Sequence, residues 1–110
     1  MVTAARRMVQ QVAPRATEIS YRGSRPKSAR AMWKLVRYAI DGENVAGIGV
    51  YPSYATLFFY RGRELDDGSG LLAGSGKMRF VRIRAPADAR RIALKRVVRK
   101  AAALARSTGG

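Results

Sequence analysis

The chain predicts an α+β domain, with an antiparallel β-sheet of about five strands and the N- and C-terminal helices packed on one face. Three observations predict it. Apolar residues at helical spacing are confined to the two ends of the chain. Short apolar runs rich in Val, Ile, Phe and Tyr fill the middle. Turn-forming clusters separate those runs so closely that consecutive strands pair as antiparallel neighbours. At 110 residues there is room for one domain, placed at 1–107 with a disordered tail at 108–110. A hydrophobic share of 47% is enough to build a core.

Val2, Ala5, Val9 and Val12 form one stripe of a helix over 3–12, with Thr3 as its cap and Pro14 as its stop. Residues 18–21 are extended, and 23–29, with Gly, Pro and Ser, form a loop. A strand over 32–40 ends at Asp41-Gly42-Glu43-Asn44, a turn sequence. The return strand, 45–51, places Gly47 and Gly49 on one face, with room for something bulky or for a ligand pocket lined by aromatics. After a second turn at Pro52-Ser53, residues 55–60 are apolar on both sides, as in a central strand. A glycine-rich connection spans 61–77, and a last strand spans 78–84. Pro86 opens a helix with Ala87 and Asp88 in its first turn, running to about Arg106. Leu94, Val97, Val98, Ala101, Leu104 and Ala105 form its core stripe. Arg91, Lys95, Arg96, Arg99 and Lys100 lie opposite. Trp33, Tyr38, Tyr51, Phe58, Phe59 and Phe80 read mainly as core.

Charge sets the class of partner. The chain carries 22 basic and 7 acidic residues, a net +15 at pH 7. Both ends are cationic around a mildly acidic middle. Such a field draws polyanions, nucleic acid or a small anionic ligand among them. An Arg- and Ala-rich composition also follows from a GC-rich genome, so charge alone leaves the two readings open. No apolar run is long enough for a membrane span, and the apolar face of the last helix is too small-residued for membrane insertion. No secretory signal is visible, so the cytoplasm is expected. The chain is expected to be a monomer or a homodimer. Cysteine and histidine are both absent, which removes the usual zinc sites and every Cys–His or Ser–His catalytic pair. No catalytic residue, metal ligand or cofactor is expected.

A specific run lies in the second half. Gly62, Leu65, Asp67, Leu71-Leu72, Gly74, Gly76-Lys77, Arg79 and the strand Val81-Arg82-Ile83 are followed by an alanine-rich helix matching Arg90 to Ala105. Upstream stand Pro14, Glu18 and Tyr21-Arg22-Gly23. This pattern resembles the YdhG-like family of domains of unknown function. The resemblance implies a frataxin-like antiparallel sheet with flanking helices and no settled activity. Some members carry an iron-chaperone label through their likeness to frataxin, which gives an alternative, metal-handling role. An iron surface of that kind is a ridge of carboxylates. Here the terminal helices hold only Asp88, and the remaining clusters are Asp66-Asp67 and Asp41/Glu43, both in turns. The family's proline-containing strand is replaced by the basic Ser24-Arg25-Pro26-Lys27.

Gly74-Ser75-Gly76-Lys77 fails the phosphate-loop pattern, because Leu71 stands where the first glycine belongs and Met78 where Ser or Thr belongs. The looser reading is a backbone anion nest at Gly74 and Gly76, assisted by Lys77 and Arg79, against a plain tight connection. Asp66 and Asp67 point apart in extended chain and suit a solvated turn. For nucleic acid the candidates are Arg79, Arg82 and Arg84 on one strand, accompanied by Arg91, Lys95 and Arg99 of the last helix, with Tyr60 or Phe80 for stacking. No base-reading motif accompanies them.

Overall fold

Alternation along the strands decides which side of the sheet the helices cover. The computed structural model describes residues 2–22, 34–66, 68 and 70–108. In chain order the elements are α1 (Val2–Val12), β1 (Thr17–Arg22), β2 (Lys34–Ile40), β3 (Glu43–Val50), β4 (Ala55–Phe59), α2 (Gly62–Leu65), β5 (Arg79–Ile83), α3 (Pro86–Ala89) and α4 (Ile92–Thr108). The five strands form one antiparallel meander in the order β1-β2-β3-β4-β5.

Val36, Ile48, Leu57 and Val81 stand in one cross-strand row. Tyr38, Ala46 and Phe59 form the next row, and Val50, Ala55 and Ile83 another. All are buried beneath α1 and α4, together with Ala5, Met8 and Val9 of α1 and Leu94, Val98, Ala101 and Ala105 of α4. Each large side chain among them contributes about 1.5–3 kcal/mol on burial. The α+β architecture is therefore the one the spacing predicts.

The hairpin between β2 and β3 turns on Asp41 and Gly42, with φ of 50° and 80°. Two consecutive positive φ values make the turn whose twist matches the flanking strands, and Asp-Gly is its characteristic pair. Gly47 on β3 makes room for Phe58 across the pair. A Cβ there would lie 2.4 Å from the Phe58 ring. Phe58 thus fills the space beside Gly47 that the sequence suggested for a ligand.

Four expectations need correction. Thr3 lies inside α1, whose first residue is Val2, so it is not the cap. The glycine-rich connection contains a helical turn, α2. The last helix is not continuous: Arg90 closes α3 with φ −97° and ψ 1°, and a second helix begins at Ile92. That helix continues to Thr108, beyond the expected end. At the start of α3, Asp88 accepts the backbone N–H groups of Arg84 and Ala85, at 3.0 and 3.1 Å, and so caps it. The expected loop at 23–29, Trp33, Asp67 and the last two glycines lie outside the described residues.

Candidate nucleic-acid interface

The sheet face turned away from α1 and α4 is built by the other set of alternating residues. Along β4 and its ends these are Tyr54, Thr56, Phe58 and Tyr60. Along β5 they are Phe80 and Arg82, with Arg84 just beyond. Phe58 pairs with Phe80, and Thr56 with Arg82. Same-face neighbours on a strand stand about 6.7 Å apart. Phe58 and Tyr60 meet edge to face, their ring centres 5.5 Å apart. Tyr51 and Tyr54 stack at 4.7 Å across the Pro52-Ser53 turn. The exposed guanidinium of Arg82 lies 5.7 Å from the centre of the Tyr54 ring and 5.9 Å from that of Phe80. These aromatics are half-buried, so each keeps surface for contact.

The face is also free of negative charge among the described residues. Glu18 and Glu43 stand toward the helix side, Glu64 and Asp66 belong to α2 and its end, Asp88 to α3, and Asp41 to the β2–β3 turn. Glu18 accepts hydrogen bonds from Arg6 at 2.6 Å, Gln10 at 3.0 Å and the Tyr38 hydroxyl at 2.7 Å. This ties α1 to the first two strands. The bond from Arg6 holds the Glu18 carboxyl below its usual range. Burial, reinforced by Glu18, pushes the Tyr38 phenol above its own. Glu64 and Glu43 face Arg61, and the bond from Arg61 lowers Glu64 as well. No group of three or more metal-ligating side chains forms among the described residues.

The residues singled out in the sequence do not merge into one patch. Arg82 and Arg84 belong to the open face. Arg79 belongs to the other: it pairs with Phe59 in register, bonds Asp66 at 2.7 Å and donates to the Gly76 carbonyl at 2.7 Å. Gly62 packs against it so closely that a Cβ would lie 2.4 Å from the Arg79 backbone nitrogen. Lys77 is exposed in the connection beside Tyr60 and Met78. Gly74 takes φ of 104°, whereas Gly76 has no positive φ and offers its carbonyl to Arg79. Arg91, in the break before α4, and Arg99 on α4 are exposed, and Lys95 of α4 is half-buried. The helix cations thus stand on the opposite side of the sheet from Arg82.

The sequence alone assigns Phe58 mainly to the core, offers Phe80 both as core and for stacking, and gives Tyr54 no role. Of the described aromatics, Tyr38 and Phe59 are core residues, at 1% and 0% exposure. The signal that separates them is period two: Tyr54, Thr56, Phe58 and Tyr60 alternate with Ala55, Leu57 and Phe59. No protein-family model, curated protein or solved structure matches the chain. No helix among the described residues is long and apolar enough to cross a membrane.

Proposed function

We propose that the chain is a binding module for single-stranded nucleic acid, with a YdhG-like fold, and that the open sheet face is its contact surface. One observation carries the reading. Arg82 spans two aromatic rings on a face that is free of carboxylates among the described residues. Unstacked bases lie on aromatic faces at about 1–3 kcal/mol each, and arginine adds a cation–π and a phosphate contact. Paired bases inside a duplex cannot reach such a platform. The family reading is supported by the contact between Gly62 and Arg79, which gives two motif positions a shared structural reason.

Fluorescence anisotropy with a labelled oligodeoxythymidylate tests the reading. Tight binding at low salt, falling with a log–log slope of about −0.7 per phosphate contacted, is expected. Preference for the single strand over the matching duplex is expected too. Equal affinity for both forms would leave only unspecific charge attraction.

A further inference from the structure

We propose a second anion site, independent of the sheet face: a cleft between α1 and the α3–α4 corner that takes a small phosphate-bearing ligand. Its volume is about 450 Å³, within the span of small-molecule sites. Thr3, Arg7 and Gln11 line it from α1. They recur every four residues and so share one helix face. Arg90 and Lys95 line it from the corner, and the buried Met8 supplies an apolar wall.

The break between α3 and α4 makes this arrangement. Five residues along a continuous helix are turned about 140° from each other. Arg90 and Lys95 would then face different directions. The helix is interrupted at Arg90 and restarts at Ile92, and both cations reach one concavity.

No carboxylate lines the cleft among the described residues. None of its three cations pairs with a carboxylate among the described residues, whereas Arg6, next to Arg7, is held by Glu18. Three like charges around a concavity repel one another and focus a positive field into it, an arrangement that an anion relieves. Two guanidinium forks match phosphate oxygens. The threonine hydroxyl and the glutamine amide add neutral donors. The apolar wall suits the organic part of a phosphate ester, and the size suits a mononucleotide.

Thermal unfolding with adenosine monophosphate, pyrophosphate or inorganic phosphate tests this, each against sodium chloride at matched ionic strength. A saturable rise in Tm is expected with the monophosphate and pyrophosphate. Arg7→Gln and Arg90→Gln should each weaken binding roughly tenfold or more, read by calorimetric titration. Arg7→Lys should retain part of the affinity, and Arg82→Ala all of it. Both arginines are largely solvent-facing, so the free variants should melt near the parent. A rise no larger than that with matched salt would overturn the site. So would binding that survives Arg7→Gln and Arg90→Gln, or that Arg82→Ala abolishes.

Discussion

The guanidinium carbon of Arg82 stands 5.9 Å from the centre of the Phe80 ring, two residues away along β5 on the same open sheet face. Each residue therefore makes a distinct prediction. Arg82→Ala should weaken oligonucleotide binding and lower the magnitude of its salt slope by about 0.7, one phosphate contact. Phe80→Ala should weaken binding by roughly tenfold or more and leave the slope unchanged. Anisotropy titrations over a salt series separate the two.

Gly47 and Phe58 are coupled across β3 and β4. A Cβ at position 47 would lie 2.4 Å from the Phe58 ring. The ring is the far end of a side chain and can swing aside, so Gly47→Ala should cost only about 1–2 kcal/mol. It should nevertheless displace Phe58 from the platform. The expected outcome is a folded variant with weakened oligonucleotide binding, seen by pairing chemical denaturation with anisotropy.

Gly62 and Arg79 predict effects on stability, not on binding. At Gly62 the obstructing atoms include the Arg79 backbone nitrogen, which cannot swing away. Gly62→Ala should cost about 1–3 kcal/mol and lower Tm by several degrees. Arg79→Ala removes the cationic partner of the Asp66 carboxylate, leaving it only the Gly68 N–H among the described residues, and should cost about 1–3 kcal/mol. The salt slope of nucleic-acid binding should not change in either variant. A reduced slope in Arg79→Ala would return Arg79 to the contact surface.

Glu18 and Tyr38 make stability pH-dependent at both ends. The folded Glu18 carboxyl titrates below the 4.5 of the free group, chiefly through its bond from Arg6. Its contribution is present above 4.5 and is lost as pH falls toward the folded value. The folded Tyr38 phenol titrates above the free value of 10.0. Its contribution is present below 10.0 and is lost as pH rises above it, because the unfolded chain ionises first. Urea unfolding across pH should show both limbs. Glu18→Gln should flatten the acid limb and Tyr38→Phe the alkaline one.

The meander was legible because its signals are local. Asp41-Gly42 specifies its hairpin, and Pro14 stops α1. The strand at 55–60 was legible too, but both its faces are apolar, so composition could not say which one the helices cover. Register decides that, by setting Phe59 against Arg79 and Phe58 against Phe80. The same register splits the cations that neighbour one another in sequence: Arg79 turns to Asp66, and Arg82 to the rings. The cleft was hidden for a related reason. It depends on the interruption at Arg90, where Arg90 and Arg91 are ordinary helix formers. Asp88, bonding back to Arg84 and Ala85, caps the start of α3, and Ala89, at 0% exposure, anchors the turn that precedes the interruption.

Amide chemical-shift mapping of the isotope-labelled chain, titrated with oligodeoxythymidylate, tests the sheet-face assignment most directly. The account predicts perturbations concentrated at residues 54–60 and 80–84, with α4 from Ile92 onward unmoved. Shifts centred on α4, or none at saturating oligonucleotide, would contradict it.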